Sequence, residues 1–519
     1  MTSLSPATLH RFMHHGIFCA DIGTSSLKAA FITEDGTVLK FIRLLFPQPV
    51  QAVDWIQTFF TAWSSLPADY VIDAICISGN GPSLVAVPQN RRAPEASINA
   101  AGRIPKSHIN AASPRSAVSL SSAVSPDDVV NGILDAAKGD TLFLWNEPVP
   151  QGLTVLAPQG MPIRASQEDT VSGRQGAAVP APQSVAIRAP QDGTAAIPPV
   201  GASLFLPRIA AFRAKYPDVF NSAAQLFSGP EYVSYLLTGA AVTSLPDPRY
   251  EAAYWSKDEL FRFAEALHIN TERLAGLLPP FAAAGTVMGR FCGIPVIAGV
   301  PDFIAALIGT GTLTAGTACD RAGSSEGINV CISQPCRSEK TLLLPSVMPD
   351  LWNLSSVIPS SGAAFSSFLV SHGFLGNDYI AAMERIAAEP FVASGAYPAT
   401  FAGQGRAFVE ALAFRIRHGC DLLEQASGFH PVYTLSGGQA HNALWCQMKA
   451  DMTGRTFALP AFADGELIGD AALALFGLDR GDNLAAIAQR LIRIKRYYEP
   501  EQAAAQRYTE KYLLHSETA

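Results

Sequence analysis

Eight cysteines are scattered along the 519 residues, and no two form a C-x-x-C pair. That spacing argues against a zinc knuckle or a disulfide framework and for reduced core thiols, as in a cytoplasmic protein. No run of 18 or more apolar residues occurs, so neither a transmembrane helix nor a membrane partner is expected. The N-terminus carries His10, His14 and His15 but no apolar h-region, so no signal peptide is read there. Those histidines are expected in a frayed tail, with adventitious metal binding as the alternative. The formal charge is −7 and no basic cluster stands out, which excludes a dedicated nucleic-acid binder. A P-loop, G-x-x-x-x-G-K-[ST], is absent. Large apolar residues are scarce between about 88 and 203, where Ala, Pro, Ser, Gln and Gly dominate. An imperfect repeat lies there: Ala157-Pro158-Gln159 leads to Ile163-Arg164-Ala165, and Ala181-Pro182-Gln183 to Ile187-Arg188-Ala189. Such a stretch buries little and is expected to behave as a mobile insertion.

Elsewhere the chain has ample core material, with 48% hydrophobic and 16% charged residues. Its length suggests two domains. From Gly16, two apolar runs, Ile17 to Ala20 and Lys28 to Ile32, flank the turn Asp21 to Ser26. A second turn, Glu34 to Thr37, leads to Val38. This reads as a β-meander. A helix is expected from Trp55 to Trp63 and a buried strand from Val71 to Ile77. Inside the biased region, a helix opens at Ser125-Pro126 and ends by Gly139, followed by a strand from Leu142 to Trp145. Helices are also expected at Ile209 to Lys215, Glu231 to Leu237 and Trp255 to Leu267. A strand at Pro295 to Ala298 runs into Gly299-Val300-Pro301-Asp302 and a helix from Phe303. A second unit starts near Cys319. It contains a long helix from Gly405 to Gln425, a strand from Val432 and a helix from Asn442 to Thr453. Strands, glycine-rich turns and helices alternate in both halves, which is α/β.

Three Gly/Ser turns follow apolar strands: Gly23 to Ser26, Gly323 to Ser325 and Gly437 to Gln439. Glycine lets the backbone approach a phosphate, while amides and hydroxyls donate to its oxygens. Each turn alone could be only a turn. Three of them at strand ends point to phosphate binding. Asp302 precedes a helical run and could equally be an N-cap. Asp21 could cap the first turn, and Lys28 is read as a solvated strand residue.

Asp21-Ile22-Gly23-Thr24-Ser25-Ser26-Leu27-Lys28 resembles the first phosphate motif of the FGGY family of carbohydrate kinases. Gly323-Ser324-Ser325 resembles the second, and Ser436-Gly437-Gly438-Gln439 through Trp445 the adenosine motif. Gly299 to Asp302 sits where that family has a glycine-rich turn and its catalytic Asp. Lesser matches are Leu237-Thr238-Gly239, Arg406 to Arg415 and Glu466 to Ala472. The resemblance implies two actin-like (ribonuclease H-like) α/β domains flanking a nucleotide and substrate cleft. These would be an N-terminal domain at 16–318, a C-terminal domain at 319–480 and a helical extension at 481–519. It implies ATP and Mg²⁺ as cofactors and a small-molecule sugar or polyol substrate, such as the pentulose xylulose. The oligomer is left open, a homodimer included. Asp302 would be the general base. Asp21 would hold the metal through water. Gly23, Thr24, Ser25, Gly323, Ser324 and Ser325 would grip phosphates, and Gly437, Gly438 and Asn442 would line the nucleotide pocket. The two halves would close on their ligands like a hinge.

The sugar end departs from the family pattern. Asn80 stands where that family has Gln, and Gly81-Pro82 offer no side-chain hydrogen bond. Leu144-Trp145-Asn146-Glu147 resembles the family's Trp-Asn-Asp segment with Glu for Asp. Asn80, Glu147 and Asp302 are the implied substrate contacts. Two other readings compete: a catalytically weakened sugar- or nucleotide-binding regulator, and an actin-like ATPase without a sugar substrate.

Overall fold

The computed structural model describes residues 13–89, 126–147, 203–336, 340–374 and 378–516. Most of the Pro/Ala/Gln-rich insertion and its repeat lie outside the described residues, as does His10. The chain begins with β1 (His14–Ile22), β2 (Ser26–Ile32) and β3 (Val38–Leu45), an antiparallel meander. β1 is buried from Gly16 to Ile22, as a strand covered on both faces must be. Helix α1 (Ala52–Ser64) buries Trp55, Ile56, Phe59 and Phe60 on one face. It leads to β4 (Tyr70–Gly79), which lies parallel to β1.

A small side sheet follows, built from β5 (Leu84–Pro88), β6 (Thr141–Phe143) and β7 (Ala223–Phe227). Helices α2 (Pro126–Ala137) and α3 (Leu206–Lys215) lie along this stretch. α4 (Gly229–Thr238) ends on Gly239 in the left-handed conformation, φ 74°, as the Thr-Gly pair suggests. After β8 (Thr243–Leu245) and β9 (Phe281–Ala283), β10 (Val287–Phe291) and β11 (Ile294–Ile297) complete a six-stranded sheet, β10-β11-β4-β1-β2-β3. α5 (Asp302–Gly309) leaves the end of β11.

The second half repeats this plan. β12 (Ala318–Ala322), β13 (Glu326–Ile332), β14 (Leu342–Pro345) and β15 (Trp352–Ile358) are followed by α6 (Phe401–Ser427). Then come β16 (Tyr433–Ser436), α7 (Ala443–Thr453), β17 (Phe457–Pro460), α8 (Gly465–Gly477), β18 (Ile494–Tyr498) and α9 (Gln502–Ser516). The sheet order is β14-β15-β13-β12-β16-β17-β18. Its central run β15-β13-β12-β16-β17 has two antiparallel and then two parallel pairings. β3-β2-β1-β4-β11 has the same sequence of pairings. The hairpins β1–β2 and β12–β13 are therefore equivalent, and so are α5 and α8. Those two helices cross so closely that a Cβ on Gly309 would lie 1.8 Å from the Gly465 carbonyl oxygen. One on Gly469 would lie 1.9 Å from that of Ala305.

Three expectations shift. The ordered chain starts before Gly16, because His14 and His15 belong to β1 beside Asp69 and Asp73. The helix expected from Trp255 starts at Lys257, where Ser256 and Glu259 form a reciprocal capping box. The 481–519 segment contributes an edge strand as well as helices, with β18 pairing antiparallel to β17. No helix among the described residues is long and apolar enough to cross a membrane.

One buried acid ties this frame to the loop before α5. Glu231, in the first turn of α4, accepts from the Ser244 amide at 3.1 Å, and the Ser244 hydroxyl donates to the Gly299 carbonyl. Burial without a cation raises its carboxyl from 4.5 to about 7. The folded state therefore holds a proton that the unfolded state loses between those values, and stability falls as pH rises through that window. Glu231→Gln should flatten the fall, gaining roughly 2–3 kcal/mol at pH 8 relative to pH 4.5. Urea unfolding at several pH values checks this, and an unchanged pH slope would count against a protonated Glu231.

Candidate active site

The first predicted turn closes the β1–β2 hairpin, with the Gly23 amide donating to the Ser26 carbonyl at 3.0 Å. The backbone closes this turn, so Asp21 does not cap it. Asp21 pairs in register with Lys28, and its carboxylate is buried. The second turn closes the equivalent hairpin, with the Gly323 amide donating to the Ser325 carbonyl at 2.9 Å. Thr24 is half-buried, whereas Ser25, Gly323, Ser324 and Ser325 are exposed. The third turn lies against the second, because β16 runs parallel to β12 with Ser436 opposite Arg321. Gly437 has φ 91°, and a Cβ there would meet the Ala322 carbonyl oxygen at 2.5 Å. Only glycine meets both conditions without strain. Asn442 is the N-cap of α7, accepting from the Trp445 amide at 2.9 Å, so its oxygen is engaged in the fold. Gly438 is exposed with open space at its Cα.

Asp302 is the first residue of α5. Pro301 holds the N-cap position, and the Asp302 carboxylate accepts from the Phe303 amide at 2.6 Å. A bridge between Gly79 and Pro301 brings Asn80 and Asp302 to the same end of the first sheet. Asn80 is buried. Its Oδ1 accepts from Ser83 Oγ at 2.9 Å, and its Nδ2 has no hydrogen-bond partner among the described residues. Trp145, after β6, donates from Nε1 to Thr24 Oγ1 at 2.9 Å, which links the side sheet to the first glycine-serine turn. Glu147 points its carboxylate elsewhere. One oxygen accepts from the Leu144 amide at 3.0 Å and the other pairs with Lys215.

Lys28, Asp464 and Arg321, which sequence reasoning passed over or misread, complete the centre together with Glu466, the first residue of a lesser family match. Lys28 is not solvated: its Nζ lies 2.9 Å from Asp464, 3.8 Å from Asp21 and 3.9 Å from Glu466. Asp464 and Glu466 flank the start of α8, which lies against Gly309 at the end of α5. Arg321, on β12, lies 3.8 Å from Asp302. Burial raises the Asp21 carboxyl to about 7, with Lys28 pulling it down and Glu466, Asp302 and Asp464 pushing it up. Lys28 is held charged above its ordinary range: Glu466, Asp21 and Asp464 outweigh the burial that opposes its charge.

Among the described residues no three His, Cys, Asp or Glu side chains gather as a metal-ligand set. Asp21 Oδ1, however, is buried without a hydrogen-bond partner. One orphaned carboxylate oxygen in an acidic pocket fits Mg²⁺, which keeps several waters and takes one or two carboxylates plus phosphate oxygens.

Residues 386–478 match the C-terminal domain of the FGGY family of carbohydrate kinases. The chain is similar to a xylulose kinase of Escherichia coli (strain K12), 23% identical over 330 residues, covering 55% of this chain and 66% of that protein. The alignment thus spans just under two thirds of the length of that curated relative. Among solved structures, a xylulose kinase from Rhodospirillum rubrum matches with a TM-score of 0.61 at 18% identity, over 97% of this chain and 98% of that one. A gluconate kinase from Lactobacillus acidophilus matches with a TM-score of 0.64 at 14% identity, over 97% of both chains. At such identities these likenesses establish the fold.

Lys28 is the cation that holds Asp21, Asp464 and Glu466 together, so removing it leaves buried carboxylates uncompensated. Lys28→Met should cost about 3 kcal/mol of stability at pH 8. The loss should shrink as the pH falls below 7 and Asp21 takes up a proton. Chemical denaturation at pH 5.5 and 8 without Mg²⁺ checks this, and equal losses at both would leave the carboxylates out of the account.

Residues 386–478 are thus similar to the C-terminal domain of the FGGY carbohydrate kinases, and nearly the whole chain shares its fold with solved xylulose and gluconate kinases.

Proposed function

We propose that this chain is an ATP-dependent carbohydrate kinase of the cytoplasm, transferring the γ-phosphoryl group to a hydroxyl of a sugar or polyol. A pentulose such as xylulose is the first candidate acceptor. One observation carries the reading: two equivalent glycine-serine hairpins, one from each sheet, flank a shared acidic centre that contains Asp302 at a helix start. Phosphoryl transfer asks mainly for positioning and charge stabilisation, plus one acceptor for the hydroxyl proton. Asp302 takes the acceptor role, because its carboxylate is partly exposed at the mouth of the first sheet beside Asn80. Gly23, Thr24 and Ser25 from one side, and Gly323, Ser324 and Ser325 from the other, would grip the phosphates. Gly437 and Gly438, with Asn442 holding the start of α7, would shape the nucleotide side. Asp21 would hold Mg²⁺, which when bound neutralises charge on the transferring group. The unpaired Nδ2 of Asn80 is a donor suited to a sugar oxygen.

A second reading, a catalytically weakened sugar- or nucleotide-binding regulator, also has an observation behind it. Glu147, a residue at the sugar end, spends its carboxylate on Lys215 and the Leu144 amide.

The test is ADP release from ATP and Mg²⁺, with and without a panel of pentuloses, hexuloses and polyols. Sugar-dependent release supports the kinase. Sugar or nucleotide binding without turnover supports the regulator. ADP release that ignores every sugar supports an ATPase. In the kinase case Asp302→Asn should lower turnover by about 10²–10⁴ with ATP affinity nearly intact. Near-normal turnover would remove Asp302 from the base role.

Asp21→Ala should abolish most of the Mg²⁺ dependence of turnover while changing metal-free nucleotide binding less. The same Mg²⁺ response in variant and parent would leave Asp21 as a structural residue only.

A further inference from the structure

Arg321 has charge and donors to spare. It lies on β12 immediately before the second phosphate turn, and its side chain is 25% exposed. Its guanidinium carries five N–H donors. None of them makes a hydrogen bond to a described residue; the recorded contact is the loose 3.8 Å pairing with Asp302 Oδ2. Burial opposes its charge, but Asp302, Glu466 and Asp21 outweigh that and keep it firmly protonated. Side chains alternate along a strand, so Arg321 faces away from its neighbour Asp320. Asp320 instead joins Glu326 and Lys449 in a fully buried triad, with Lys449 at 2.5 Å and 2.8 Å from the two acids. That triad anchors the β12–β13 hairpin to α7 and fixes the strand that carries Arg321.

We infer that Arg321 is a catalytic residue that reaches across from the second sheet to the γ-phosphoryl group, giving up its loose contact with Asp302 as the nucleotide arrives. This rests on the nucleotide-binding part of the proposed function. A guanidinium with unspent donors, next to a glycine-serine turn and beside the base, is matched to a phosphate's geometry and charge. In the step, the acceptor oxygen bonds to the γ-phosphorus as the bridging β–γ bond breaks. The hydroxyl proton passes to Asp302, and ADP leaves with the bridging oxygen. Arg321 stabilises the charge spread over the γ-oxygens during that exchange.

The experiment compares Arg321→Ala, Arg321→Gln and Arg321→Lys with the full-length parent. Calorimetry measures affinities for Mg²⁺-ADP and for a non-hydrolysable Mg²⁺-ATP analogue, and steady-state assays follow turnover. In Arg321→Ala and Arg321→Gln the ATP analogue should bind about 10–100-fold more weakly while ADP changes less than about threefold. Turnover should fall about 10²–10³-fold, with Arg321→Lys in between. If one variant does not fold, the other two decide. Equal losses for both nucleotides, or no loss, would overturn the inference, and so would faster turnover, which would make the pairing with Asp302 a brake. If the parent phosphorylates no sugar yet loses γ-phosphate preference on substitution, the inference stands and the kinase reading falls. If the parent binds neither nucleotide, both fall.

Discussion

Everything at this site depends on one contact, the glycine crossing of α5 and α8. A methyl group at Gly309, or at Gly469, would run into the other helix's backbone at under 2 Å. The helices therefore touch main chain to main chain. Side chains cannot push them apart, and their relative position is set within narrow limits. Each helix begins at the site: α5 with Asp302, α8 immediately after Asp464 and one residue before Glu466. Asp302 from one half and Asp464 and Glu466 from the other come close enough to Asp21 to push its carboxyl up, and the crossing holds the two halves together. It also buries Ile304, Ala305, Ile308, Leu467 and Ala471 in a core that both halves share. Two duplicate sheets become one molecule through this pair.

Bringing four carboxylates together is costly, and the structure compensates with cations from both sides. Lys28 from β2 meets Asp464 and Asp21, and Arg321 from β12 meets Asp302. A buried acid behind them, Asp470, accepts from Ser78 Oγ at 2.9 Å, and burial and then Asp21 push its carboxyl up. Breaking such pairs is more destabilising than forming them is stabilising, so they act chiefly as constraints on geometry. The cluster keeps two cations against four acids, and the remaining negative charge suits a divalent metal carried in on a polyphosphate.

Much of the frame was legible because it is local. Continuous apolar runs marked β1 and β4, and the glycine-serine turns marked both hairpins. The misreading at Trp255 was also local, since Ser256 and Glu259 have the spacing of a capping box. The charged centre was a different matter. Lys28 looked solvated because it stands in a strand next to a polar turn, and its closest partner, Asp464, is more than 400 residues away. Arg321 met Asp302 only because α5 is carried to the end of β12. Long-range partners leave no periodic trace in a single sequence. Glu147 shows the same limit in reverse: its motif suggested a ligand contact, and Lys215 from α3 occupies it.

The hydrogen bond from Trp145 to Thr24 explains why a separate small sheet belongs beside the phosphate turn. A hydroxyl can accept and donate at once. With the indole N–H on its oxygen, Thr24 has its own proton free, and the lone pair already taken limits the directions in which that proton can point. The remaining donor is left for an anion at the turn, where Gly23 leaves room for close approach. Trp145 is itself fixed from behind, its amide donating to Ser83 Oγ at 3.0 Å, and Ser83 in turn donates to Asn80. Thr24, Trp145, Ser83 and Asn80 thus form one chain of hydrogen bonds from the first glycine-serine turn to the end of the first sheet. Its outer link, at Trp145 and Thr24, is open to solvent, and its inner one, at Ser83 and Asn80, is buried, so the turn is tied to a fixed inner end.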